Sequence, residues 1–170
     1  MIEARELREG YIIREAAPAD VEAACEIAKQ AWERIHDSFS KIMGQQMHDD
    51  LSPNWKARKA DQIRSHFEKN PLWIWVVEHA SDGIVAFLTF RIDRDRSLGT
   101  IGNNAGDPRA QGTGIGSEMY CVVLDMFRRE GLKYAEVQTG LDEGHAPARR
   151  AYEKAGFDIR REDVTYYKKL

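Results

Sequence analysis

Gln111-Gly112-Thr113-Gly114-Ile115-Gly116 is the stretch on which the fold turns. Directly after it, Ser117 to Arg129 reads as a helix. Ile115, Met119, Val122, Val123, Met126 and Phe127 recur at spacings of three and four and make one apolar face. Directly before it, Thr100 to Ala105 reads as a short strand, stopped by Asp107-Pro108. The order is therefore strand, glycine-rich turn, helix. The first turn of a helix leaves backbone N–H groups without partners, and the helix dipole adds partial positive charge at the same end. Such a terminus suits a phosphate or pyrophosphate, and the missing Cβ atoms let it approach the main chain.

Two familiar phosphate loops do not fit. A nucleotide P-loop needs Lys and then Ser or Thr after its last glycine, whereas Gly116 is followed by Ser117 and Glu118. A dinucleotide fingerprint needs G-x-G-x-x-G, whereas Gly112, Gly114 and Gly116 alternate and Glu118-Met119 follow.

The pattern Gln111-x-x-Gly114-x-Gly116 resembles the Q/R-x-x-G-x-G/A loop of the GNAT family of N-acetyltransferases, and Arg109-x-x-Gly112-x-Gly114 fits the same pattern two residues earlier. A second segment, Ala148-Arg149-Arg150-Ala151-Tyr152-Glu153-Lys154-Ala155-Gly156-Phe157, resembles the family's A-x-x-x-Y-E-K-x-G-F element. Ile13-Arg14-Glu15-Ala16 followed by Asp20 is similar to its opening strand and helix. The resemblance runs from about residue 11 to the end.

The elements read outward from the loop as follows. Tyr11 to Arg14 is a first strand. Pro18 opens a helix with Val21, Ala24, Cys25, Ala28, Trp32 and Ile35 on one face. Asp37 to Asn54 is polar, holds Gly44 and Pro53, and reads as loop with at most a helical turn. Trp55 to Lys69 is a second helix, ended by Asn70-Pro71. Leu72 to His79 and Ile84 to Ile92 are strands joined by Ser81-Asp82-Gly83. Beyond the loop helix, which Gly131 ends, Tyr134 to Thr139 is a fifth strand. Pro147 starts a last helix, which Gly156 terminates. Phe157 to Arg161 and Val164 to Lys168 are expected to close the chain as a hairpin around Glu162-Asp163. The fold class is α/β (α+β): one domain over residues 1–170, with 1–10 frayed, holding a mixed, mostly antiparallel sheet flanked by helices. The resemblance implies a GNAT-like acyltransferase fold in which the strands around the loop helix splay and admit the acetyl-pantetheine arm.

Length and charge set limits on function. The 170 residues suit a single core, and a net charge of −3 leaves no electrostatic footprint for nucleic acid. No apolar run reaches membrane-spanning length, and the charged start lacks a signal-peptide core; a cytoplasmic protein is expected. Cys25 and Cys121 fall in helical apolar patterns and read as buried free thiols. No Cys or His spacing suggests a zinc site, so no metal is expected.

The resemblance implies transfer of an acetyl group from acetyl-CoA to an amine. Gln111, Gly112, Thr113, Gly114, Ile115, Gly116 and Ser117 would hold the diphosphate. Ala148, Arg149 and His145 would line the carrier, with one of Arg149-Arg150 meeting a phosphate. Tyr152 would lie beside the thioester sulfur and act as general acid. Backbone N–H groups near Asn104 and Ala105 would hold the oxyanion, on a strand whose Gly102 and Gly106 permit a bulge. The base stays open: a water on Asn103 or Asn104, or Asp142, Glu143 or His145. Histidine as a residue type suits base work near neutral pH, and Asp142 also fits a helix cap. The acceptor would lie over the first two helices, where Trp32, His36 and Asp37, with Glu33, His48, Asp49, Asp50 and Trp55, offer carboxylates and aromatics for a cationic amine. Arg58, Lys59 and Arg64 argue against a simply acidic pocket. The leading expectation is a small-molecule amine acceptor, with a possible homodimer. The alternatives are protein N-termini or lysines, and a non-catalytic CoA-binding module.

Overall fold

The computed structural model describes residues 3–110 and 112–170. Six strands form one sheet in sequence order: β1 (Arg5–Arg8), β2 (Tyr11–Glu15), β3 (Ile74–His79), β4 (Gly83–Asp93), β5 (Leu98–Gly106) and β6 (Tyr134–Val137). Neighbours from β1 to β5 are antiparallel and β5–β6 is parallel, so the sheet is mixed and mostly antiparallel, as its sequence implies. Each face carries its own core. Trp75, Val77, Leu88 and Ile101 pack against Met119, Val123 and Phe127 of α4 (Ile115–Arg129) on one side. On the other, Val76, Phe87 and Ala105 meet Ala24, Ala28 and Ile63 of α1 (Val21–Met43) and α3 (Trp55–Lys69). Alternation along the strands sends successive side chains to opposite faces, which is why both helical layers find apolar partners.

Four expectations are corrected. Within the segment expected to fray, Arg5–Arg8 instead pairs with β2 as an edge strand, turned by Gly10 at φ 80°, and Leu7 packs on the core. The polar stretch after Asp37 is helical. α1 continues to Met43 because Ile35, Ser38 and Phe39 keep one side turned inward, and Gly44 at φ 85° ends it. α2 (Gln45–Leu51) follows, braced by Gln45–Asp49 and Gln46–Asp50 side-chain bonds of 2.7 and 3.0 Å at i,i+4. The closing hairpin does not form, and Ile159, Val164, Tyr166 and Leu170 stay exposed. Glu162-Asp163 supplies no residue suited to the positive φ of a tight hairpin, and both carboxylates pair locally, with Arg160 and Arg161. Finally, Cys25 is buried but Cys121 is exposed.

Two irregularities open the centre of the sheet. Leu88 pairs with Asn104 and Phe90 with Ile101, so Thr89 alone opposes Gly102 and Asn103, and β5 bulges there. The parallel pairing of β5 with β6 stops at Ile101↔Val137. Residues 102–106 therefore present an edge that β6 does not cover.

Candidate active site

The uncovered stretch of β5 leads into the glycine loop. Gly112 and Gly114 adopt φ 79° and 88°, and Gly114 is the N-cap of α4. These left-handed conformations disfavour any residue with a Cβ. A Cβ built on Gly112 or Gly116 meets nothing within 4 Å, so space lies open in front of the loop; one on Gly114 meets Arg8 Nη2 at 3.2 Å. Gln111 lies outside the described residues. Thr113 donates from its hydroxyl to the Ala110 carbonyl at 2.6 Å and closes the turn.

Arg8 is one residue that sequence reasoning missed. Its Nη1 donates to the Thr113 carbonyl at 2.6 Å, and its guanidinium pairs with Glu118 in the first turn of α4. Read as part of a frayed start, it gave no signal; the pairing of β1 with β2 is what carries it to the loop. Arg109, whose register also fitted the motif, is turned onto Asp107 at 2.7 Å, and that bond holds the Asp107 carboxyl below its ordinary value.

Under the bulge, three side chains converge. Tyr152 of α5 (Ala146–Lys154) is 6% exposed, and its Oη lies 3.0 Å from Asn104 Nδ2. Tyr120 of α4 donates to Asn104 Oδ1 at 2.6 Å, and Asn104 Nδ2 also donates to the Gly102 carbonyl at 2.8 Å. Both amide ends are thus engaged, which orients the amide and, through it, the Tyr152 hydroxyl. Burial pushes the Tyr152 phenol above its ordinary value, against the opposing hydrogen bonds of Asn104 and Tyr120, so it carries its proton at neutral pH. Tyr120 was also missed by sequence reading. The spacing of 116, 120, 123 and 127 would have placed it on the sheet side of α4.

Beyond β6, a 3-10 turn (Glu143–His145) leads into α5. His145 Nδ1 lies 2.6 Å from Asp142 Oδ2, both side chains being largely buried. Burial would raise the Asp142 carboxyl, but the bonds from His145 and Ser38 outweigh it and the net shift is downward. Nδ1 is thereby committed to the carboxylate, which leaves Nε2 as the nitrogen able to accept a proton. Arg149 spends Nη1 on the carbonyls of Gly140 and Asp142 at 2.6 and 2.8 Å, fastening this loop. Ala148 packs against the same core as Tyr152.

The loop presses on α1 through Gly144. A Cβ there would lie 2.8 Å from both the Arg34 carbonyl oxygen and Ile35 Cα. Both are backbone atoms in mid-helix and cannot give way cheaply. Gly144→Ala is expected to cost about 1–3 kcal/mol of stability by overpacking, read as a lower midpoint in chemical denaturation; an unchanged midpoint would show that the loop stands off α1.

The acceptor residues named from sequence divide in two. His36 and Asp37 line a cavity of about 520 Å³ with Glu33, Asp49 and Trp55. His36 stacks on Trp55 at 3.9 Å between centroids, and its Nδ1 lies 2.9 Å from Nε2 of the buried His48. Burial, with the nearby charge of His48 and Lys59, lowers His36 to about 4, so it is neutral at pH 7. Asp50 bonds Gln46 instead. Trp32 sits one turn away beneath Lys59, whose Nζ is 4.2 Å from the indole centroid and 3.1 Å from Asn103 Oδ1. Burial lowers Lys59 to about 8. Of the cations that weighed against an acidic pocket, Arg64 is directed to Glu22 and Asp61. Phe39 links the first group to the His145 turn, its ring centroid lying 5.9 Å from those of both His36 and His145.

Comparison with known proteins identifies the family and the fold. The family model described as Acetyltransferase (GNAT) family matches residues 23–157. Among curated proteins none matches the chain. Among solved structures, the chain is similar to the PaiA N-acetyltransferase of Thermoplasma acidophilum in complex with coenzyme A, with TM-score 0.68, 15% identity, and coverage of 90% of this chain and 92% of that one. It is also similar to the ribosomal-protein-S18-alanine N-acetyltransferase of Escherichia coli, with TM-score 0.61, 17% identity, and 89% and 79% covered. A third is the aminoglycoside 6'-N-acetyltransferase of Acinetobacter haemolyticus, with TM-score 0.60, 13% identity, and 93% and 98% covered. At these identities the likeness is one of fold. No helix among the described residues is long and apolar enough to cross a membrane.

Proposed function

Because the chain belongs to the acetyltransferase (GNAT) family, whose members take acetyl groups from acetyl-CoA, we propose that it acetylates the primary amine of a small molecule by direct attack in a ternary complex. The reading is carried by one observation: the buried Tyr152 hydroxyl, held by Asn104 and Tyr120, lies where β5 has lost its β6 partner.

In this reading, the main chain of residues 112–117 and the amino end of α4 hold the carrier's diphosphate, with Arg8 alongside. The acyl arm follows the uncovered edge of β5. Main-chain N–H groups near Asn104 and Ala105 stabilise the oxyanion formed when the amine adds to the thioester carbonyl. Collapse of that intermediate breaks the C–S bond, and the Tyr152 phenol gives its proton to the departing sulfur. Asn104 acts by positioning Tyr152, since both ends of its amide are already bonded. The ammonium proton of the intermediate goes to His145 Nε2, with Asp142 fixing the ring. Most of the rate comes from alignment of amine and thioester.

The acceptor lies along the α1 face bearing Trp32, His36 and Phe39. Carboxylates at Glu33, Asp37 and Asp49 attract a cationic amine, while Lys59 beside Asn103 favours its neutral form near the reacting carbon. A cavity of about 520 Å³ walled by the His36–Trp55 stack is sized for a small acceptor rather than an extended peptide. The test is free-thiol release from acetyl-CoA across polyamines, aminoglycosides, amino acids and short peptides. A small polyamine or aminoglycoside is expected to turn over, with His145→Gln lowering its kcat roughly 10²-fold or more at neutral pH. Release with peptides alone, or with none of the four classes, would count against the proposal.

A further inference from the structure

Three side chains of the cavity beside α1 form a chain in which the place of every proton is decided. Nδ1 of His36, on α1, lies 2.9 Å from Nε2 of His48, on α2. Nδ1 of His48 lies 3.1 Å from Asp49 Oδ1, which also accepts from Gln45 Nε2 at 2.7 Å. His48 is buried, so these two neighbours, and not water, set its tautomer.

The direction of the bonds follows from the carboxylate. The bonds from Gln45 and His48 hold the Asp49 carboxyl below its ordinary value, and an ionised carboxylate only accepts. His48 Nδ1 is therefore a donor. A neutral imidazole carries one N–H, so His48 Nε2 is an acceptor and His36 Nδ1 donates to it. By the same count, His36 Nε2 is bare.

That nitrogen is available to a ligand. It has no hydrogen-bond partner among the described residues, and it is not one of the unpartnered atoms sealed from solvent. One face of the ring is covered by Trp55, stacked at 3.9 Å with 12° between planes, and the Nδ1 edge is covered by His48. The cavity lies along what remains open. Burial, which lowers His36 to about 4, makes the ring a poor base but keeps its lone pair free at neutral pH. It is an acceptor of hydrogen bonds, and His145 keeps the proton-accepting role.

An atom that only accepts selects a donor. Glu33, Asp37 and Asp49 line the same cavity against one cation, Lys56, which is bonded to Glu33. That balance favours a cationic donor, an ammonium, over a hydroxyl. A path of contacts through Trp32, one turn before His36, and Lys59 separates His36 from Asn103 in the β5 bulge. The amine that attacks at the bulge is therefore a different group from the one that meets His36.

We propose that His36 Nε2, kept bare by His48 and Asp49, accepts a hydrogen bond from a second ammonium group of the acceptor and so selects diamines over monoamines. This rests on the acceptor assignment above and narrows it.

Two measurements at about pH 8, above the ordinary range of imidazole titration, test it. Nitrogen-15 NMR of the free protein is expected to show His36 with its proton on Nδ1 and a bare Nε2, whose signal moves when 1,8-diaminooctane is added. Asp49→Ala, which removes the acceptor that fixes His48, should mix the two tautomers. The second measurement is thiol release from acetyl-CoA with 1,4-diaminobutane, 1,6-diaminohexane and 1,8-diaminooctane, each beside the monoamine of the same length. The best diamine is expected to exceed its monoamine about tenfold or more in kcat/KM, the scale of one hydrogen bond to a charged donor. His36→Phe keeps a ring on Trp55 and should erase that preference by raising KM for the diamine, with kcat within about twofold. A proton on Nε2, equal kcat/KM for diamines and monoamines, or a preference that survives His36→Phe overturns the proposal and leaves acetyl transfer standing. An unchanged tautomer in Asp49→Ala removes Asp49 from the chain. If no amine releases thiol, the transfer reading fails instead, and the Nε2 signal with 1,8-diaminooctane still decides whether His36 meets an ammonium.

Discussion

Tyr152→Phe is expected to lower kcat about 100-fold or more while the dissociation constant for acetyl-CoA stays within about twofold. The substitution removes one oxygen from a side chain that is 6% exposed and leaves the ring in its contacts with Tyr120 and Phe157. Asn104 keeps its bonds to Tyr120 and to the Gly102 carbonyl, so the amide is not released. The stability cost is therefore that of one hydrogen bond, about 1 kcal/mol. Tyr120→Phe is the control. It removes the other phenol of the cluster and leaves the proton donor in place, so kcat should fall far less. Stopped-flow release of the thiol, with calorimetric binding of acetyl-CoA, reads both quantities. Unchanged turnover in Tyr152→Phe removes the acid role. Equal losses in the two variants would assign the cluster to support alone.

The second large effect belongs to the glycine loop. Gly114→Val should abolish measurable binding of acetyl-CoA, because it places a branched side chain at φ 88° and against Arg8. Part of that effect is strain in the loop itself, and Gly116→Val separates strain from obstruction. Gly116 has no positive φ, and a Cβ on it meets nothing in the free protein. Its folding cost is small, yet its side chain would stand in the space proposed for the diphosphate. A drop in affinity of about 100-fold or more with a near-normal melting temperature is the expected result. If acetyl-CoA bound Gly116→Val as tightly as the unaltered protein, the diphosphate would have to lie elsewhere.

What was legible in the sequence followed the strength of the local signal. The helix after the loop, Trp55–Lys69 and the strands around Ser81-Asp82-Gly83 announce themselves by periodicity and turn residues, and each lies within about two residues of its place in the fold. The polar continuation of α1 did not, because its helical state rests on Ile35, Ser38 and Phe39 finding partners far along the chain. Edge strand β1 was illegible for the same reason: four residues of mixed charge become a strand only beside β2. The site shows a parallel division. Tyr152 and the loop glycines lie within motifs, and Asp142 and His145, three residues apart, are candidates from the sequence, whereas Arg8 owes its place to a chain crossing that no local pattern encodes, and Tyr120, placed by helical spacing, gains its role only through Asn104 on another element.

The tether between Arg8 and the Thr113 carbonyl has a consequence for how the enzyme would fail. It is anchored on the outermost strand, the part of a sheet with least to lose by peeling away. Warming or an upstream fusion that loosens this margin would slacken the loop while the interior stayed intact. Grip on the carrier would then decline at temperatures where circular dichroism still reports a folded sheet.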